Sequence, residues 1–142
     1  MSLRIIARWT VHATCLVSLS AMAQPSPNDL KDDQIRTLVS GKRLELRFAG
    51  TPPSDPKFFS HWNFRADGSL CARLIGSGPK TECADVGKWQ AENNTLCWKL
   101  NSIGTSTGIN STCGWVRKGE ADLYEIVDTT GKLGTTLFSL GR

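Results

Sequence analysis

"LCWKLNSIGTSTGINSTCGW", residues 96–115, decides the fold of this chain, because it holds two cysteines on two short strands joined by a ten-residue loop. In the first strand, Leu96 and Trp98 share one face by alternation, and Cys97 lies on the other. Cys97 and Cys113 then oppose each other across a hairpin. Opposed Cα atoms in antiparallel strands lie about 4.5–5.5 Å apart, within the reach of a disulfide. We expect a Cys97–Cys113 disulfide on the outside of this hairpin.

A second pair of cysteines, Cys71 and Cys83, flanks the turn "GSGPK" at 76–80. We expect these two residues to oppose each other across that hairpin and to form the other disulfide. Successive cysteines from Cys71 onward are 12, 14 and 16 residues apart, and His61 is the only histidine after residue 23. A zinc site or a redox-active dithiol needs more closely spaced ligands. The pattern therefore predicts two structural disulfides, no metal site and no cofactor.

Residues 1–23 have the features of a bacterial-type secretory signal peptide. Arg4 and Arg8 precede a short stretch of apolar and small residues that ends in Ala-Met-Ala at 21–23. The stretch is too short and too often interrupted by polar residues to span a membrane, which takes about 20 mostly apolar residues. We predict cleavage near Gln24, a periplasmic or secreted protein, and no membrane span once the leader is removed.

The exported part, residues 24–142, is expected to be a single monomeric domain. Removing 23 of the 142 residues leaves 119, a usual length for one domain with a modest core. The formal net charge falls from +4 to +2, because the leader carries two arginines and no acidic residue. Basic and acidic residues are interspersed, whereas a nucleic-acid binder carries a concentrated basic stripe. We therefore expect no nucleic-acid partner.

One short helix, at about 27–40, is predicted to precede an all-β region at about 42–139. Ser26 is a preferred N-cap, Pro27 a preferred first helical residue and Gly41 a natural stop. The β region contains eight short alternating or apolar runs separated by turn residues, which is typical of antiparallel strands. We predict an eight-stranded up-and-down barrel, a lipocalin-like meander, because closure leaves no unpaired edge. A two-sheet β-sandwich is the alternative.

Three tryptophans, Trp62, Trp89 and Trp98, have two possible roles in such a barrel. Aromatic walls suit a small apolar ligand, so these side chains are candidates to line a cavity. Tryptophans in a small barrel more often belong to the core, because such a barrel can fill its interior with its own side chains. The choice between a cavity and a filled core depends on the structure.

Trp115 is a candidate for contact with a partner protein. By alternation it shares the outer face with Cys113 and Arg117, and an aromatic residue beside arginine is typical of interface hot spots. We therefore predict Trp115 and Arg117 as binding residues. The alternative is that Trp115 packs beneath the loop at 101–110 or beneath the helix.

The sequence predicts no catalytic residue. After residue 23 a Ser-His-Asp triad could use only His61, and alternation places His61 on the polar face of its strand, where we expect it to face solvent. Carboxylates are available for glycoside hydrolysis, but nothing in their spacing selects a pair. The sequence therefore favours a protein that is not an enzyme.

Four segments together resemble a family of small exported bacterial proteins of unknown function. They are "WNFRADGS" at 62–69, "GKWQAENNTLCW" at 87–98, "CGWVRKG" at 113–119 and "YEIVDTTGK" at 124–132. The resemblance covers about 41–139 and implies a β-barrel-like fold and export. It implies no activity, because that family has none established.

Taken together, these features favour a non-catalytic exported binding protein for a small apolar ligand or a protein partner. A secreted inhibitor of a protease or lysozyme is one alternative, since rigid loops lose little entropy on binding. A carboxylate-dependent hydrolase is the other.

Overall fold

The computed structural model describes residues 24–47, 59–103, 110–130 and 134–141. Within these ranges one helix precedes eight strands: α1 (Asp32–Val39), β1 (Lys42–Arg47), β2 (Phe59–Phe64), β3 (Ser69–Ala72), β4 (Asp85–Glu92), β5 (Thr95–Leu100), β6 (Ser111–Lys118), β7 (Leu123–Asp128) and β8 (Thr135–Leu140). Strands that follow one another in sequence pair antiparallel, and β1 also pairs with β8. The predicted closed up-and-down barrel is confirmed, and the β-sandwich alternative is wrong.

Side chains alternate between the inside and the outside of the barrel, as period-two strands require. On β6, Thr112 and Val116 are buried, whereas Cys113 and Trp115 remain partly exposed. The nearly fully buried apolar side chains of the strands include Leu44, Leu46, Phe64, Leu70, Leu96, Leu100, Val116, Ile126 and Phe138.

The turn between β4 and β5 sets the register of the wall that carries the candidate site. Asn93 and Asn94 both have positive φ, 53° and 59°, as the two central residues of a type I′ hairpin turn require. Glu92 therefore lies opposite Thr95, and every later pair along the two strands follows from that one.

The helix α1 closes one end of the barrel. Ile35 and Val39 have no exposed surface and belong to the core. Nη2 of Arg36 donates a hydrogen bond of 2.6 Å to the carbonyl of Ala91, so the helix is also bonded to β4.

The helix begins at Asp32, later than the start at 27 that the sequence predicts. Ser26 does not cap it but accepts a 3.0 Å hydrogen bond from the backbone N–H of Asp29 in a turn. The Asp29 carboxylate pairs with Arg117, and the backbone N–H of Leu30 donates to β6 at 2.8 Å. These tertiary contacts hold residues 29 and 30 against β6, so helical structure starts only after them.

Both predicted disulfides are present. Cys97 and Cys113 are direct cross-strand partners, and their Cα atoms are 4.0 Å apart. Cys71 lies on β3 opposite Val86, whereas Cys83 lies in the loop before β4, with a Cα separation of 5.4 Å from Cys71. The Cys71–Cys83 bridge therefore ties a loop to a strand, which corrects the expected geometry of two opposed strand residues.

The predicted signal peptide, residues 1–23, lies outside the described residues, and so does most of the β5–β6 loop, 104–109. In the part of the chain that the structure describes, no helix has the length and apolar character needed to cross a membrane.

Candidate binding surface

The outer face of β4, β5 and β6 carries two cross-strand rows of side chains. In one row Lys88 lies opposite Lys99, which lies opposite Ser111. In the other, Gln90 lies opposite Cys97, which is disulfide-bonded to β6. Directly opposed side chains in antiparallel strands have Cβ atoms about 4.5–5.5 Å apart. Each row is therefore continuous across three strands.

A surface hollow of about 520 Å³ lies over these rows, and we call it the outer-face hollow. Its lining includes Lys88 and Lys99 at one end, Glu92 further along β4, and Thr129 and Thr130 beyond the edge of β6. This volume is within the usual range for ligand sites, about 300–1,000 Å³.

Hydrogen bonds at the end of β7 fix the rim of the outer-face hollow. The backbone N–H and Oγ1 of Thr129 each donate to the carbonyl of Cys113 at 3.0 Å. The N–H of Thr130 donates to Asp128 at 2.9 Å, and the hydroxyl of Thr112 donates to the same carboxylate at 2.9 Å. Asp128 is only 3% exposed, and bonds shielded from water hold their geometry strongly. The position of this rim is therefore set by the barrel itself.

Glu92 and the Cys97–Cys113 disulfide lie together in the hollow but do not make a metal site. A carboxylate oxygen of Glu92 and the two Sγ atoms lie within 4.8 Å of one another. The sulfur atoms are bonded to each other, and a cysteine ligates metal as a thiolate. The cluster is a disulfide with a carboxylate beside it.

Trp115 lies on the predicted outer face, the next outward residue after Cys113 on β6, and is half-buried. Its cross-strand partner on β7 is Val127. Trp115 is not a lining residue of the outer-face hollow but lies two residues along β6 from Cys113, which lines it. Its part in binding stays a prediction.

Arg117, the other predicted binding residue, makes contacts within the protein. Its Nε pairs with the carboxylate of Asp29, whose side chain is 3% exposed, and its Nη2 donates to the carbonyl of Gln24 at 3.1 Å. These bonds hold the N-terminal segment to the barrel, so this guanidinium has a structural role whatever else it does.

The three candidate cavity residues, Trp62, Trp89 and Trp98, are buried, with 5%, 8% and 5% of their surface exposed. Trp62 and Trp98 meet edge to face at 5.6 Å between ring centroids, and Phe64 meets Trp89 at 5.7 Å. Such distances are normal for packed aromatic pairs. These contacts favour the core role over the wall of an interior cavity. Trp89 and Trp98 also contribute to the lining of the outer-face hollow. Among the described residues Nε1 of Trp98 has no hydrogen-bond partner and is buried.

His61 is buried, although the sequence analysis expects it to face solvent. Its Nδ1 lies 2.9 Å from the carbonyl of Ser77, so this nitrogen carries a proton and donates it, and its Nε2 lies 3.7 Å from Glu45. The β3–β4 loop, which contains Ser77, covers the outward face of β2 at this point. The expectation of a solvent-facing histidine is therefore wrong.

Asp85 fixes the start of the β5–β6 loop. Its carboxylate accepts hydrogen bonds from the backbone N–H groups of Ser102 at 2.6 Å and Ile103 at 2.8 Å. Burial acts to raise the pKa of Asp85, but these backbone donors and that of Val86 outweigh burial and lower the pKa from its ordinary 3.8. The carboxylate is thus held ionised as a structural anchor.

The sequence analysis does not identify Lys88, Lys99 and Ser111, which the structure brings together. Their proximity can nevertheless be predicted from the sequence. A two-residue turn at Asn93 and Asn94 sets the β4–β5 register, and a cross-strand disulfide sets the β5–β6 register.

Comparison with known proteins gives no matching family model, no similar curated protein and no similar solved structure. The resemblance to small exported bacterial proteins therefore stays a prediction from the sequence.

Proposed function

We propose that this chain is an exported, non-catalytic binding protein whose protein partner docks in the outer-face hollow. The main observation in support is a hollow of about 520 Å³ on the outer face of β4, β5 and β6, where the Cys97–Cys113 disulfide links two of the strands. A surface that is ordered before binding loses less conformational entropy when a partner docks. Trp115 lies on the same outer face of β6 as the lining residue Cys113, and it supplies an aromatic side chain of the kind that dominates interface energetics.

The interior of the barrel supports this choice of surface. Trp62, Trp98 and Phe64 pack against one another inside the strands, with Trp62 and Phe64 centroids 6.4 Å apart. Rings in mutual contact leave their faces unavailable to a small apolar ligand. A partner on the outside of the wall requires no rearrangement of these side chains.

The hydrogen bonding of two buried carboxylates favours a binding role over hydrolysis. The buried carboxylates Asp85 and Asp128 accept hydrogen bonds from backbone N–H groups and from threonine hydroxyls. A glycosidase needs one carboxyl group that releases a proton and a second that attacks or activates water. Carboxylates saturated by structural donors are poorly suited to either task.

Export is supported by the signal-peptide pattern of residues 1–23 and by the two disulfides. Disulfides persist in oxidising compartments and are rare where thiols are kept reduced. A periplasmic or secreted location therefore fits both features.

Site-specific photo-cross-linking in the native host tests the proposed surface. We place p-benzoylphenylalanine at Gln90 in the outer-face hollow, and as a matched control at Glu120, an exposed residue of the β6–β7 turn. The proposal predicts a discrete adduct from the Gln90 position and none from the Glu120 position. No adduct from Gln90, or the same adducts from both positions, would contradict it.

A further inference from the structure

The charges of the outer-face hollow define the chemistry of its partner. We infer that the hollow binds an extended acidic segment of a partner protein, with the acidic side chain held between Lys88 and Lys99. The inference rests on the proposed function, because it specifies the partner of the same surface.

Lys88 and Lys99 form a like-charged pair with no acid in their row. They are direct cross-strand partners, and both are exposed. The row continues to Ser69 on β3 and Ser111 on β6, which are neutral. Salt bridges found among the described residues do not involve either lysine.

Like charges directly opposite each other destabilise an antiparallel pair. A carboxylate placed between Lys88 and Lys99 would replace this repulsion with two charge-assisted hydrogen bonds. The free energy of the lysine pair is therefore higher without a bound anionic group than with one. The hydroxyl of Ser111 lies at the end of the row and can donate to the same group.

Glu92 excludes a polyanion and favours a protein segment. It lies on the same outer face as Lys88 and lines the same hollow. The two residues are four positions apart on β4, about 13 Å along the backbone, and the Glu92 carboxylate lies within 4.8 Å of the Cys97 and Cys113 sulfur atoms. A phosphate-rich polymer would meet this negative charge beside the lysine row. An extended peptide with an acidic residue between the lysines, and a basic residue further along whose side chain reaches the Glu92 carboxylate, would match both charges.

The side chains between the two ends suit the backbone of such a segment. Gln90, on the same face of β4 between Lys88 and Glu92, carries both a donor and an acceptor. Thr130, on the far rim, donates its hydroxyl hydrogen to Asp128 at 2.8 Å, so its oxygen can only accept a hydrogen bond from the segment.

Peptide titrations of the full mature chain, followed by amide chemical shifts, test the inference. The probes are acetyl-Asp-Ser-Gly-Ser-Lys-amide, the same peptide with Asn in place of Asp, and inorganic phosphate. We expect saturable shifts at Lys88, Lys99 and Glu92 with the Asp peptide, and binding weaker by about tenfold with the Asn peptide. Equal binding of the two peptides, or tighter binding of phosphate than of the Asp peptide, would overturn the inference.

A charge-matched pair of variants controls for non-specific attraction. The double substitution Lys88→Gln and Lys99→Gln should weaken binding of the Asp peptide by about tenfold. Lys42→Gln with Lys118→Gln removes the same charge from exposed lysines of a different hollow, near α1, and should leave binding unchanged. Equal weakening by both pairs would show a general charge effect and overturn the inference.

Folding is checked on the same samples. Removing the like-charge pair should leave the melting temperature of the Lys88→Gln, Lys99→Gln variant no lower than that of wild type. Lys88→Arg with Lys99→Arg keeps both charges and should keep peptide binding, and a folded Arg variant that loses binding would overturn the inference.

The two proposals fail separately. If the Gln90 cross-link forms but the Asp and Asn peptides bind alike, the acidic-segment inference is wrong and the proposed function stands. If the Gln90 cross-link does not form, the proposed function itself is wrong.

Discussion

The two faces of the β4–β5–β6 wall consist of alternate residues of the same strands, yet their chemistry differs completely. Trp89 and Trp98 point inward and are buried, while their sequence neighbours Lys88 and Lys99 point outward and are exposed. The inner face is ordered by aromatic packing and the outer face by the Cys97–Cys113 disulfide. The comparison shows how one wall can supply core stability on one side and a charged, rigid surface on the other.

The largest effect should come from the inner face. Trp98→Ala removes a buried ring that packs on Trp62 at 5.6 Å, and truncation of a buried tryptophan costs about 3–5 kcal/mol of unfolding free energy. Urea unfolding measures this loss. Lys99→Ala, the adjacent outward residue, is the matched control and should change stability by about 0.5 kcal/mol or less. Equal losses of unfolding free energy in Trp98→Ala and Lys99→Ala would contradict the separate roles of the two faces.

The second effect concerns what orders the outer face. Replacing Cys97 and Cys113 together by Ala should lower the free energy of unfolding by about 3 kcal/mol, by the loop-closure argument. Replacing Cys71 and Cys83 should cost a similar amount, because the sequence separations are 12 and 16 residues.

Only the loss of Cys97–Cys113 should also reduce the Gln90 cross-link, because only that disulfide lies in the outer-face hollow. A cross-link that survives the loss of this bridge, or falls equally in both double variants, would show that the disulfide does not shape the binding surface.

The third effect is a pH dependence of the unfolding free energy, caused by Asp85 at the start of β4. The folded-state pKa of Asp85 lies below 3.8, so its contribution to stability is present above that pH and is lost as the pH falls through the lower folded pKa. Asp85→Asn removes the titrating group. We expect the unfolding free energy of wild type to fall more steeply below pH 3.8 than that of the variant. Parallel curves in acid would contradict the anchoring role.

Much of the fold follows from local sequence signals, and the errors have tertiary causes. Alternation and turn residues predict the eight strands, and hairpin geometry predicts both disulfides. The start of α1 is wrong because Asp29 pairs with Arg117, 88 residues away, and no local pattern contains that contact. The burial of His61 depends similarly on a loop that folds over a neighbouring strand.

Only part of the candidate site can be predicted from the sequence. The pairing of Lys88 with Lys99 follows from the two-residue Asn93–Asn94 turn and could be counted along the strands. The hollow above them depends on the curvature of the wall and on Thr129 and Thr130, which Cys113 and Asp128 hold at its rim. Those contacts join separate strands, so they require the folded barrel.

The central claim is that the inner face stabilises the barrel and the outer face binds, and Trp115→Ala tests it most directly. Trp115 is half-buried on the outer face, two residues along β6 from Cys113, which lines the hollow. The account predicts that this variant loses less than half the unfolding free energy that Trp98→Ala loses in the same urea titration. It also predicts a weaker Gln90 cross-link, since a hot-spot residue contributes about 2 kcal/mol or more to partner binding. A stability loss equal to that of Trp98→Ala, with an unchanged cross-link, would contradict the account.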